Sequence, residues 1–401
     1  MPFAKHVMYV TFATFCFILI SYSFAISMGL HETRIGILNL GLNDGIKNTE
    51  LFPLATRAQQ GLAYIKYKGK ESLFITVRCD VSNSPSQGQA CRIVQFNFDR
   101  DGRLDCNPVA YSKILPVGHG QGFGAIVKNG ELYFYCQSRY DQLKENRYRG
   151  VSQIHWRGND TDAKDVKQIP LLPNSAFFSK FSFLTPSVST DGKYLVALCK
   201  DKMSGHSCLV YQFNKLSNYV EPINIFPVSA KLGNDTGWQG ICADEKYIYC
   251  LYGGIYALDP HIIVVYDYKG KKIKEYEIQD EKKYYGGTSG ILKYSYGTPW
   301  NIELEGIAKR GNELYITGVC TIGFDGEVVS WNNKNYICLA TTDGTQTPKE
   351  KKYWMLTEKP AKSGRFEPGR KYYSGKDILR TNQKYVSRYK YMYKLTLNPG
   401  D

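Results

Sequence analysis

Gln121-Gly122-Phe123-Gly124, set inside the run Gly118-His119-Gly120-Gln121-Gly122-Phe123-Gly124, has three relatives along the chain: Gln60-Gly61-Leu62-Ala63, Gln239-Gly240-Ile241-Cys242 and Glu305-Gly306-Ile307-Ala308. The glycines following the Gln or Glu stand 61, 118 and 66 positions apart, so the middle interval covers two periods and a degenerate copy is expected near residue 180. Thr185-Pro186-Ser187-Val188-Ser189 fills that place. A repeat of this length points to radially arranged blades rather than one continuous core.

Every repeat obeys one grammar. The Gly phrase opens a short strand, a tight turn follows, and a second strand runs to a Cys or Arg. A loop then leads to a third strand rich in aromatic and β-branched residues. The turns read Lys68-Gly69-Lys70, Lys128-Asn129-Gly130, Thr190-Asp191-Gly192, Asp244-Glu245 and Arg310-Gly311-Asn312. Asn-Gly and Asp-Gly suit two-residue hairpins because both central positions need positive φ. Third strands are expected at 91–98, 150–156, 208–213, 261–268 and 336–341, and segments such as 109–116 and 223–228 supply outer strands. Helical periodicity is absent from the body of the chain. The expected fold is all-β: a five-bladed β-propeller with four-stranded blades over residues 33–345, an N-terminal signal segment, and a basic C-terminal extension, 346–401, that completes the last blade. Either Thr33 to Leu40 or Tyr385 to Leu397 can close the ring and remove its free edge.

Lys5 and His6 precede an apolar run from Val7 to Ile26, and Ser23-Phe24-Ala25 offers a small-x-Ala cleavage site, the layout of a secretory signal peptide over residues 1–25. Uncleaved, the same run is long enough to anchor the chain in a bilayer. The chain is read as exported, extracellular or periplasmic. Ten of its 11 cysteines lie beyond this segment, an even number that suits a disulfide-permitting compartment. Cys79 with Cys91, Cys199 with Cys208, and Cys320 with Cys338 bracket loops between strands and are expected to form hairpin disulfides; Cys242 with Cys250 is a further candidate. The pairing of Cys106 and Cys136 stays open. No pair has Cys-x-x-Cys spacing, so no metal site is expected.

The 401 residues carry a net charge of +14, and Lys349 to Asp401 alone holds 14 Lys or Arg against 5 Asp or Glu. Basic excess in an exported chain favours polyanions such as phosphate-rich wall polymers or acidic glycans. The alternating Tyr and Lys of Tyr385 to Leu397 read as an edge strand rather than a nucleic-acid stripe.

An up-and-down blade places the start of its inner strand and the end of its second strand at one end of the disc. Gln60, Arg78, His119, Gln121, Arg139, Gln239 and Glu305 therefore share one face and are the candidate ligand-binding residues. Their Gln and Glu side chains can equally well bond neighbouring blades. The Gly-rich run around His119 lacks a following helix or Lys-Ser/Thr, which excludes a nucleotide P-loop. No Gly-x-Ser-x-Gly elbow or His-Glu-x-x-His occurs, and no catalytic residue is assigned. Asp80, Asp201, Asp259 and Asp325 follow second strands, where a Ca2+ ion or a glycosidase-like carboxylate pair is conceivable; otherwise no cofactor is expected. Phe181, Phe183, Trp238 and Trp300 lie before inner strands and can pack between blades or present a platform to a sugar ring.

The phrase Gly118-His119-Gly120-Gln121-Gly122-Phe123 and the Gln-Gly or Glu-Gly openings of successive blades resemble the helveticin J and teichoic-acid-biosynthesis-protein-C group, whose propeller also occurs in receptor-binding proteins of staphylococcal phages. The resemblance spans residues 33–345. It implies a bacteriocin-like or cell-envelope glycopolymer-binding role and carries no catalytic residues. Pro186-Ser187 in place of Gln-Gly, and the many cysteines, depart from the group's pattern. The resulting expectation is a monomeric secreted propeller that binds an anionic or sugar-rich polymer. A propeller hydrolase or lyase acting on a glycan or phosphoester through His119, and a membrane-anchored interaction module, are the alternatives.

Overall fold

The computed structural model describes residues 31–37, 59–80, 89–105, 107–118, 120–138, 149–202, 205–230, 237–253, 261–278, 299–322, 327–338, 342–350, 353–357, 361, 363–373 and 387–397. The expected signal segment lies outside them.

Four sheets follow the repeat plan, each made of four consecutive antiparallel strands. The first holds β2 (Gln59–Tyr67), β3 (Lys70–Asp80), β4 (Gln89–Asn97) and β5 (Ala110–Tyr111). The second holds β6 (Phe123–Lys128), β7 (Glu131–Gln137), β8 (Gly150–His155) and β9 (Val166–Pro170). The third runs β10 (Phe181–Val188), β11 (Tyr194–Asp201), β12 (Gly205–Gln212), β13 (Asn224–Pro227), and the fourth β14 (Trp238–Ala243), β15 (Tyr247–Gly253), β16 (His261–Asp267), β17 (Lys272–Glu277). The turns close as their residues require: Lys68 and Gly69 have φ of 48° and 76°, and Asn129 and Gly130 of 53° and 77°.

The fifth repeat departs from the plan, so the expected five sequential blades are corrected to four. Its first two strands, β18 (Pro299–Arg310) and β19 (Glu313–Ile322), belong to an antiparallel sheet of mixed sequence origin, completed from the two chain ends in the order β18, β19, β23 (Ser387–Thr396), β1 (His31–Ile37). The expected third strand forms instead β21 (Lys334–Cys338), between β20 (Val328–Trp331) and β22 (Trp354–Thr357) in a separate three-stranded sheet. That sheet has its own small core, in which Trp354 packs edge-on against Phe366 and Tyr372 at 5.5 and 5.2 Å. A segment able to bury its own aromatic residues does not need a place in the blade, and β23 takes it.

Inner strands touch in succession, β2 with β6, β6 with β10, β10 with β14, β14 with β18, and β18 with β2. The apolar side chains divide into layers between adjacent sheets rather than one core. Between the first two blades Phe74, Phe134 and Trp156 interlock, with ring centroids 4.7 to 5.7 Å apart. The mixed sheet meets the first blade through Leu62, Ala308 and Tyr315. Arg310 fastens that junction: its guanidinium bonds the Glu71 carboxylate at 2.5 Å and the Gly102 carbonyl at 3.1 Å, and stacks 4.2 Å from the Phe98 ring centre.

Glycine sets the spacing at the axis. A Cβ on Gly61 would stand 2.6 Å from the Gly120 carbonyl oxygen, and one on Gly122 would stand 2.5 Å from the Pro186 nitrogen. Both clashes are with backbone, which cannot move aside without moving a strand.

Pairing register argues against hairpin disulfides between Cys199 and Cys208 and between Cys242 and Cys250. Cys199 faces Ser207 while Cys208 faces Leu198, and Cys242 faces Tyr249 while Cys250 faces Ile241. One residue of offset sends each pair to opposite sides of its sheet. Cys199 accordingly packs with Phe181 and Leu184 on one side of the third blade, Cys208 with Phe226 on the other, and all four are buried thiols. Cys79 and Cys91 show the same offset, opposite Ala90 and Arg78. Cys320 lies on β19 and Cys338 on β21. Burial pushes the thiols of Cys136, Cys199, Cys208, Cys242 and Cys250 upward.

Gly61→Ala is expected to destabilise the fold by about 1–3 kcal/mol, the range of core overpacking, and to lower the thermal midpoint in a calorimetric scan. Val127→Ala, at an exposed site, is expected to leave the midpoint in place. Burial alone would raise the Glu71 carboxyl, but hydrogen bonds from Arg310 and Tyr64 hold it below its ordinary value. A lowered folded-state pKa contributes stability above the unfolded carboxylate pKa that is lost as pH falls through the folded value. Arg310→Met should therefore lower the midpoint at pH 7, with the gap to wild type closing as acid protonates Glu71.

Candidate functional site

The glycine phrase corresponds to a β-bulge. Pairing of inner and second strands slips between Gln59 and Leu62, between Trp238 and Gly240, and between Leu304 and Gly306. The extra residue leaves the ladder and its side chain is re-aimed. Gln60, Gln239 and Glu305 are the residues released, the first two at the N-terminal ends of their strands and Glu305 in the middle of the longer β18.

There the polar side chains bond each other. Gln60 Nε2 donates to Glu305 Oε1 at 3.0 Å, and Gln121 Nε2 donates to Gln239 Oε1 at 2.8 Å. The second bond passes over the third blade, whose copy of the phrase, Thr185-Pro186-Ser187, has no Gln. Gln59 Nε2 donates to the Gly318 carbonyl at 2.9 Å. Thr76 Oγ1 accepts from the Gly61 amide at 2.6 Å and donates to the Gly120 carbonyl at 2.7 Å, tying the first bulge to the second blade. Gln60, Gln239 and Glu305 are all buried. These side chains therefore brace neighbouring blades.

Arg78 lies at the same end of β3 and is half-buried. His119 and Arg139 lie outside the described residues, as do Cys106, Asp259 and Asp325. Asp201 is engaged by Lys180 Nζ at 3.5 Å and by the Ser207 hydroxyl at 3.2 Å. Among the described residues no three His, Cys, Asp or Glu side chains cluster as metal ligands do.

One further feature was not read from the sequence as a site element, and a second was read there only as an alternative to packing between blades. A cavity of about 240 Å³ follows the axis on the other side of the brace, with Lys66, Ala125, Ser187, Thr190, Ala243 and Lys309 among its lining residues. All five inner strands border it, so its wall is largely strand edge. Lys309 Nζ is held by the Gly311 carbonyl and by Asp244, 3.7 Å away. The second feature is Phe183. Its bulge lies one step nearer the mouth than the Thr185 position: Ser182 pairs with Lys200 and Thr185 with Leu198. Trp238 opens the next inner strand and meets Tyr252 edge-on at 5.3 Å. The aromatic pattern in the sequence marked both residues but could not say which way they point.

Gln60→Ala and Glu305→Ala are each expected to destabilise the chain, and a double-mutant cycle in urea should return a coupling of about 1–2 kcal/mol for this buried hydrogen bond. A coupling near zero would remove the brace.

No protein-family model matches the chain, and no curated protein matches its sequence. Among solved structures, the tail fiber of Staphylococcus aureus phage P68 is similar over 92% of this chain at 13% identity, with a TM-score of 0.49. The chain spans 53% of that fiber's length. A putative glycosidase from Bacteroides thetaiotaomicron is similar over 66% of this chain and 84% of its own at 12% identity, TM-score 0.37. The GH43_1 enzyme from Xanthomonas citri complexed with xylose is similar over 66% of this chain and 83% of its own at 10% identity, TM-score 0.37.

Proposed function

We propose that this chain is an exported binding propeller whose braced face recognises an anionic or sugar-rich polymer of a cell envelope, in a bacteriocin-like setting. In this reading residues 1–25 direct export. The observation that carries it is the brace itself. Glu305, the one carboxylate of the repeated phrase, is buried and accepts from Gln60, which supports a positioning scaffold over a general acid or base. A surface stiffened by glycine-tight strands and cross-blade bonds loses little entropy on meeting a repetitive polymer. The net charge of +14 supplies long-range attraction to polyanions.

The full chain should be applied to immobilised teichoic acid, polyuronate and neutral glycan across a salt series, with and without a chelator. Binding to the anionic polymers is expected to weaken by about tenfold or more between low and high salt, because screening shortens the reach of exposed charge, and to survive chelation. Salt-insensitive binding would overturn the electrostatic part of the reading. Release of shortened polymer during the assay would replace it with a hydrolase or lyase.

A further inference from the structure

We propose that Phe183 and Lys200 form a subsite for a pyranose ring carrying an anionic group, either a uronate or a sugar phosphate. The inference rests on the reading of this face as the ligand face and names the chemistry it selects.

Phe183 has a φ of 55°, in the left-handed region that bulky residues rarely occupy. Such a conformation persists only where the surrounding structure enforces it, and it concentrates at binding sites. Here the enforcement is visible. The bulge in β10 sets Phe183 and Leu184 against a single residue of β11, which frees the strand from simple alternation. Phe181 and Leu184 both enter the layer between the second and third blades, while Phe183 is turned outward and is 37% exposed. A strained phenylalanine that faces solvent adds little to the core; a smaller residue would satisfy the fold better.

The ring is not bare. Lys200 Nζ stands 5.0 Å from its centroid. The adjacent acid, Asp201, is matched by Lys180, and among the described residues Lys200 has no acidic partner. An ammonium resting on an aromatic face is a modest attraction when exposed, readily exchanged for an ion pair. A pyranose bearing a carboxylate or phosphate matches both groups together. Its C–H face lies on the Phe183 ring, and its anion draws Lys200 aside. Trp238, half-buried, opens the next inner strand.

The test uses the full chain on immobilised polyuronate, teichoic acid and dextran, comparing wild type with Phe183→Ala, Phe183→Tyr, Lys200→Gln and, as an exposed aromatic away from the bulge, Phe177→Ala. Phe183→Ala is expected to weaken binding to the preferred anionic polymer at least tenfold, with Phe183→Tyr and Phe177→Ala within twofold of wild type. Lys200→Gln should abolish the preference for that polymer over dextran. Phe183→Gly, which relieves the backbone strain, should lose binding while keeping or raising the thermal midpoint, separating recognition from folding. Whichever anionic polymer wild type prefers identifies the anion. Wild-type binding that persists in Phe183→Ala overturns the subsite and leaves the ligand face standing. No binding by wild type to any of the three polymers overturns both.

Discussion

Backbone meeting backbone at the axis is the constraint on which the rest of this structure depends. Inner strands of neighbouring sheets approach so closely at Gly61, Gly122 and Gly306 that an added Cβ would fall within 3 Å of main-chain atoms. The Gly of the phrase is therefore a packing requirement in three of the sheets. The bulge beside it follows from the same geometry. Where the inner strand slips its register beside the glycine, the released Gln60, Gln239 or Glu305 reaches a neighbour. Polar contacts between blades arise as a consequence of tight spacing.

That arrangement divides the apolar content into layers. Each sheet gives one set of alternate side chains to the blade before it and the other set to the blade after it. The layers make the assembly tolerant of irregularity in any one sheet, provided both faces remain filled. The mixed sheet illustrates this. Its β19 pairs with β23 over the whole range Glu313 to Ile322, although more than sixty residues separate them in sequence. Chain continuity matters less than the presence of a strand with a suitable face, and the intervening segment is free to build a separate small core around Trp354.

Function, on the proposed reading, draws on the one place where the repeat is imperfect. The third copy lacks Gln, so Gln121 spans to Gln239, and its bulge releases Phe183 instead of an amide. The structure holds a left-handed phenylalanine at the mouth and supports it with Leu184 in the layer beneath. Polar brace and aromatic exception are products of the same device acting on different residues.

The spacing of the glycine phrases was enough to read an all-β repeat, the hairpins at Lys68-Gly69 and Asn129-Gly130, and the strands of four blades, because these depend on local conformation and on short-range alternation. Register and long-range pairing were beyond it. Cys199 and Cys208 look like partners across a hairpin, yet a slip of one residue puts them on opposite faces, and register is set by packing in layers that draw on two blades at once. The fate of the fifth repeat was hidden for a related reason: whether residues 336–341 or the chain ends complete a sheet depends on which partner buries more surface. Residue identity therefore determined where the chain bends and which side chains the bulges release. Tertiary structure alone decided which of those side chains bond each other across the axis and which one, Phe183, is left facing solvent, because only the meeting of strands from different blades creates the partners.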